Sequence, residues 1–190
     1  MSHVDLLERA VTYTLGCLHG VTPAALSRPT PCRDWDLRAL LRHLVDSLAA
    51  LREAADDGHV DLEPAAVDHD DPVAAARDHA RQVLGAWTAR DGRPAVSVGG
   101  CPVTTDVVAR AGALEVAVHG WDVARACGDV RPIPRALADE LYPVALLLVS
   151  DADRPARFAA PLRPETPADR LLAYLGRGTS PGTPPGPRAS

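Results

Sequence analysis

Glu115 and His119 stand four residues apart in the stretch VVARAGALEVAVHGWDVARACG, Val107 to Gly128, which is otherwise almost wholly apolar or small. On a helix that spacing puts a carboxylate and an imidazole on one face. Ionised groups in an apolar setting are costly unless they are paired or bound to a metal, so the segment asks for a partner. His43 can supply it: it lies beside a leucine stripe (Leu37, Leu40, Leu44, Leu48, Leu51), with the small residues Ala39, Ser47 and Ala50 on its own face. If two helices of a bundle face each other, His43, Glu115 and His119 form a two-histidine, one-carboxylate set. Three protein ligands leave a position open for water or substrate, the pattern of catalytic zinc, iron, nickel or manganese centres. The same spacing also occurs in surface pairs and local hydrogen bonds, and His43 alone reads equally as a hydrogen-bonded boundary residue.

Around this set stand supporting candidates. Asp46 or Asp122 can orient a ligand imidazole, and Trp35 and Trp121 are pocket walls or plain core aromatics. Arg110 and Arg125 are anion-binding partners or solvated edge charges. Gly112 leaves space on the line of Glu115 and His119. His59 and His69 fall in an acidic loop that could border the site, and His79 falls on the outer or lateral face of a helix. Cys17, Cys32, Cys101 and Cys127 lie far apart without CxxC pairs and read as free thiols, Cys32 and Cys101 being the two nearest a pocket because they sit beside prolines in loops.

The positioning elements follow from the apolar period. Val4, Leu7, Val11, Leu15 and Leu18 mark a first helix stopped at Gly20. Asp34 is expected to cap a second helix from Trp35 to about Asp57. The pair Asp71–Pro72 opens a third, which runs to Trp87 with Val73, Ala76, Ala80, Val83 and Leu84 inward. Thr104 or Thr105 caps the fourth, with the ridge Val107, Ala111, Leu114, Val118 and Trp121, closing at Gly128. Pro134 starts a fifth on the stripe Leu137, Leu141, Val144 and Leu148. A short helical piece covers Ala168 to Leu175, and residues 179–190, rich in proline and glycine, read as a disordered tail after one domain of residues 1–178. Ala95 to Val98 is expected to be an extended connection without a sheet. The fold class is therefore all-α, a four-helix bundle with an additional short C-terminal helical segment.

Bulk properties exclude several classes. At 190 residues the chain holds one sizeable core, and a net charge of −5 with 46% hydrophobic and 24% charged residues gives no basic footprint for nucleic acid. No stretch stays apolar for long enough to span a membrane and the N-terminus lacks a signal-peptide pattern, so a cytoplasmic location is expected. Every basic residue is arginine and alanine abounds, a bias typical of GC-rich bacterial genomes. A homodimer through an apolar helix face is the expected form of any self-association.

Three stretches, TPCRDWDLRALLRHL (Thr30–Leu44), ALEVAVHGWDVARACG (Ala113–Gly128) and FAAPLRPETPADRLLAYLGRG (Phe158–Gly178), together resemble the signatures of the DinB-like superfamily. The likeness is to its actinobacterial metal-binding branch, related to the N-terminal domain of mycothiol-dependent maleylpyruvate isomerase, and runs in the same order over nearly the whole chain. The resemblance implies a four-helix bundle with a divalent metal, zinc in the first place, held by His43, Glu115 and His119. It further implies a low-molecular-weight thiol of the mycothiol type as co-substrate, in an S-transferase or thiol-dependent isomerase acting on a small electrophile. The metal would lower the thiol's pKa, and the thiolate would attack an electrophilic carbon. A hydrolase using metal-bound water and a non-catalytic metal-binding or ligand-sensing module are the rival readings; a zinc anti-sigma motif, H-x3-C-x2-C, is absent.

Overall fold

Four long helices close into a bundle around the leucine, valine and alanine stripes in a computed structural model, which describes residues 3–32, 34–61, 69–90, 92–154 and 158–178. They are α1 (His3–Cys17), α2 (Leu37–Asp56), α3 (Pro72–Ala89) and α4 (Thr105–Ala126). In the bundle α1 packs on α4, α4 on α2, α2 on α3, and α3 back on α1. Helix α5 (Arg135–Leu148) covers α4, and the short α6 (Arg170–Tyr174) packs on α5. The all-α expectation with its C-terminal helical addition is met. The expected tail, 179–190, lies outside the described residues.

The core stripe of α2 is fully buried, with Leu37, Leu40, Leu44 and Leu48 at 0% exposure. Each contributes about 1.5–3 kcal/mol relative to an exposed position. Asp36 rather than Asp34 caps this helix, accepting a hydrogen bond from the Ala39 N–H at 2.8 Å. Asp34 instead sits at φ +68°, a turn conformation that aspartate tolerates better than most residues, so the helix starts two residues later than its sequence suggests. Asp71 caps α3 through Val73 and Ala74, and Thr104 caps α4 through Val107, as the sequence indicates. In α5, Leu137, Leu141 and Val144 are buried, but Leu148 is exposed and Val149 takes its place in the core.

A small sheet corrects the reading of residues 95–98 as a lone connection. Strand β1 (His59–Val60) pairs parallel with β2 (Ala95–Val98), which pairs antiparallel with β3 (Cys101–Thr104). The hairpin turns through Gly99 and Gly100, both at positive φ (54° and 82°), the conformation that a two-residue hairpin loop requires and glycine supplies at no steric cost. A Gly-Gly pair between VSV and CPVT is the signal that was there to be read. The hairpin delivers the chain directly to the N-cap of α4.

Helix α4 is buried almost all round, because α1, α2 and α5 each take one of its faces. Close approach to α1 depends on Gly120: a Cβ there would lie 2.4 Å from Thr14 Oγ1 and 3.1 Å from the Thr14 Cα. Thr14 is itself fully buried, and its hydroxyl donates across the interface to the Val116 carbonyl at 2.8 Å. The Gly120→Ala substitution gains about 1 kcal/mol of helix propensity. It loses more, through overpacking worth about 1–3 kcal/mol and the displaced Thr14 hydrogen bond, worth about 1 kcal/mol. A net destabilisation of about 1–3 kcal/mol is expected in urea unfolding monitored by circular dichroism.

Candidate metal centre

His43 projects from the middle of α2 toward α4, where Glu115 and His119 occupy successive turns of one face. One carboxylate oxygen, Glu115 Oε1, receives them all: His43 Nε2 at 2.6 Å, His119 Nε2 at 3.1 Å and the Ser47 hydroxyl at 3.2 Å. The ligand atoms of His43, Glu115 and His119 lie within 4.8 Å of one another. Bonds of about 2.0–2.1 Å in a tetrahedral centre put ligand atoms about 3.3 Å apart, so a divalent ion fits between these three with small outward movements. Glu115 and His43 are half-exposed (side chains 38% and 39%), while His119 is nearly buried (10%), so the set opens to solvent on one side.

Glu115 thus stands at the open rim of the group and not in the wholly apolar setting that its neighbours in sequence suggest. The fully buried carboxylate of α4 is Asp122, at 0% exposure. His119 Nδ1 lies 3.0 Å from Asp122 Oδ2. The far side of Asp122 is gripped by Arg177, whose Nε reaches Oδ1 at 2.9 Å and whose Nη2 reaches Oδ2 at 2.8 Å. Burial alone would push the Asp122 carboxyl up, but the Arg177 guanidinium and the His119 hydrogen bond override it and hold it far below the usual carboxylate range. An ionised carboxylate can only accept, so the Nδ1 of His119 carries the proton and its Nε2 faces Glu115 and His43.

A short loop brings two more side chains to this point. The Thr30 hydroxyl lies 3.1 Å from the Cys32 carbonyl and 3.0 Å from the Trp35 carbonyl, and it accepts the Cys32 N–H, drawing Thr30, Cys32 and Trp35 together. Cys32 then donates its thiol to Asp122 Oδ2 at 3.2 Å, with Arg177 Nη2 at 3.5 Å from the sulfur. The Trp35 ring stands 4.9 Å from that of His43 and 6.4 Å from that of His119, walling one side. Cys32, His119 and Asp122 form a second group with metal-ligand spacing, but Arg177 already occupies its carboxylate, so the first group is the one with room for an ion.

The remaining candidates fall elsewhere. Asp46 acts electrostatically on His79 of α3, leaving the imidazole-orienting position to Asp122. Trp121 is about 200° around α4 from His119. It lines a cavity of about 200 Å³ together with Arg125, whose guanidinium lies 5.6 Å over its ring. Arg110 pairs with Asp106 one turn away. The space expected at Gly112 is taken by Leu51 of α2. His59 is exposed at the sheet edge and His69 meets the His79 ring edge-on, with centroids 6.1 Å apart. Cys101 is exposed in β3, and the buried Cys17 thiol is pushed up to about 11 by burial. Sequence reasoning missed Arg177 and Ser47 and gave Cys32 only a general nearness to a pocket. The signal for Arg177 lay in the signature stretch Phe158–Gly178, but nothing in its spacing says which carboxylate it meets.

The family model described as mycothiol maleylpyruvate isomerase N-terminal domain matches residues 7–124, which carry all of α2 and α3, most of α1 and α4 and the three candidate ligands. An uncharacterized protein of Mycobacterium tuberculosis, in strain CDC 1551 / Oshkosh and again in strain ATCC 25618 / H37Rv, is 30% identical over 180 residues, 90% of this chain and 94% of the relative. No solved structure matches the chain.

The proton inventory of the metal-free site has a measurable consequence. Burial acts to lower the His119 pKa, but the charge of Glu115 and the hydrogen bond to Asp122 raise it well above the ordinary histidine value. A raised folded value means that the native state binds the extra proton. The stabilisation is fully present below the unfolded value of about 6.5 and is lost as pH rises through the higher folded value. The melting temperature of metal-stripped protein is therefore expected to fall from pH 6 toward pH 9.5, and to fall less in His119→Gln, as read by scanning calorimetry.

Proposed function

Because the chain belongs to the mycothiol maleylpyruvate isomerase N-terminal domain family, we propose that it is a metal-dependent enzyme using a low-molecular-weight thiol of the mycothiol type. The reaction is S-transfer to, or thiol-dependent isomerisation of, a small electrophilic substrate. The observation that carries the reading is the convergence of His43 Nε2, Glu115 Oε1 and His119 Nε2 on one half-open point between α2 and α4. Zinc is the first choice of ion for two imidazoles and a carboxylate. When bound, such an ion supplies Lewis acidity that keeps a thiol sulfur deprotonated at neutral pH.

The chain's own residues do the rest. The Nδ1 of His119 keeps its proton on Asp122, which fixes both the ring and the tautomer that presents Nε2 to the ion. The Ser47 hydroxyl orients Glu115 from α2. Burial pushes the Glu115 carboxyl up, but the His119 charge and the hydrogen bonds from His119 and His43 hold it well below its usual range, so it is ionised and ready to ligate at neutral pH. Trp35, half-exposed beside His43, shields the open side and offers an apolar wall to the carbon skeleton of a substrate. A metal held by His119 Nε2 would require that nitrogen free of its proton, so uptake would release protons and weaken in acid.

The protein is expected to take up about one zinc per chain. His43→Ala, Glu115→Ala and His119→Ala should each lose at least tenfold in affinity while keeping native circular dichroism. With zinc bound, turnover of a panel of small electrophiles should require added mycothiol and should vanish in the same variants. Equal turnover without thiol would replace the reading by a hydrolase, and the absence of any metal uptake would remove it altogether.

A further inference from the structure

We propose that Arg177 is a positioning residue of the metal centre, and that the C-terminal segment carrying it is held to the bundle more firmly when the centre is loaded. The inference rests on the metal reading above and extends the centre beyond the region, residues 7–124, that the family model matches.

Arg177 is buried in spite of its charge (side chain 9% exposed), and its partner Asp122 is at 0%. Both oxygens of Asp122 are engaged by the guanidinium fork, Nε on Oδ1 at 2.9 Å and Nη2 on Oδ2 at 2.8 Å. Such two-point contact fixes the plane of a carboxylate as well as its place, which a single point charge does not do. The fixed carboxylate is the nearer of the two groups that meet His119 Nδ1, at 3.0 Å against 3.8 Å for the Cys32 sulfur, so the direction of the opposite nitrogen, Nε2, is set from the C-terminal segment. The same guanidinium reaches the Cys32 sulfur at 3.5 Å, closing the loop that also carries Trp35.

The segment is built to hold that arm in place. Leu171 and Leu172 of α6 are buried against the core, and the Arg177 N–H donates to the Leu172 carbonyl at 2.8 Å. Gly176, at φ +74°, makes the turn between them, and a Cβ there would lie 2.7 Å from that of Ala159. Arg154 ties the other side down through the Tyr174 carbonyl at 3.0 Å. The chain from α6 to Arg177 is thus a strut with one end in the core and the other on the carboxylate behind the ligand histidine. Coupling through such a strut is reciprocal: if Arg177 strengthens metal binding by some factor, bound metal must strengthen the strut's docking by the same factor.

The test uses the full chain with zinc as the probe, titrated against a chromogenic chelator in wild type, Arg177→Met, Arg177→Lys and the exposed-cation control Arg163→Met. In parallel, hydrogen exchange of amides 172–177 is followed with and without zinc. Arg177→Met should bind zinc about 10–100-fold more weakly, Arg177→Lys should fall between it and wild type, and Arg163→Met should match wild type. Zinc should slow exchange at 172–177 in wild type and leave it unchanged in Arg177→Met. Wild-type zinc affinity in folded Arg177→Met, or exchange at 172–177 indifferent to zinc in wild type, overturns the proposal while leaving the metal reading intact. Failure of wild type to bind zinc overturns both. Should Arg177→Met not fold, Arg177→Lys decides, an affinity equal to wild type counting against.

Discussion

The structure around the site depends on one buried charge. Asp122 is an ionised carboxylate with no access to solvent, and an unpaired charge so placed would cost several kcal/mol. Its two oxygens are satisfied from three directions at once: the imidazole of His119 on its own helix, the thiol of Cys32 from the loop before α2, and the guanidinium of Arg177 from beyond α6. Each of these partners belongs to a different part of the chain, so the carboxylate acts as the knot that ties them. What faces solvent, the His43–Glu115–His119 group, is the other side of that knot. The open chemistry is held in shape by closed electrostatics behind it.

The bundle supplies the frame within which such a knot can form. Helix α4 has neighbours on almost every face, and it tolerates them because its contact positions are small: Ala109, Ala113, Ala117 and Gly120 let backbones approach, with Gly120 set against Thr14 of α1. Small residues bring α2 near enough for His43 to reach Glu115. The hairpin of β2 and β3 fixes where α4 begins, and so sets the phase of the helix that carries three of the site's titratable groups.

The helices were legible from the sequence because their signals are local: apolar period, Asp71–Pro72, Thr104 and the glycine stops are all read within a few residues. The pairing of His43 with Glu115 and His119 was legible because spacing on two helices limits which side chains can share a face. Three features were not. Asp34 directly precedes the expected start of the helix at Trp35, but the Thr30-centred turn uses Asp34 at positive φ and passes the capping role to Asp36. The hairpin is only four residues a side, too short for period-two alternation to mark it as a sheet. Arg177 meets Asp122 across 55 positions, and no local pattern specifies which of several arginines completes a buried pair.

Those long separations also bear on when the site comes into being. The contacts within α4, Glu115 to His119 and His119 to Asp122, can form as soon as that helix does. The contact from His43 to Glu115 spans 72 positions, that from Cys32 to Asp122 spans 90, and the Arg177 clasp comes from 55 positions beyond Asp122. Long closures are entropically slow and wait on the packing that brings the helices together. During synthesis the first helices leave the ribosome well before Arg177 does, so the site cannot nucleate the fold and is completed only after the bundle has closed. Under the metal reading proposed above, capture of the ion follows closure of the bundle, and a shortage of metal would leave native helices with an unfinished centre rather than an unfolded protein.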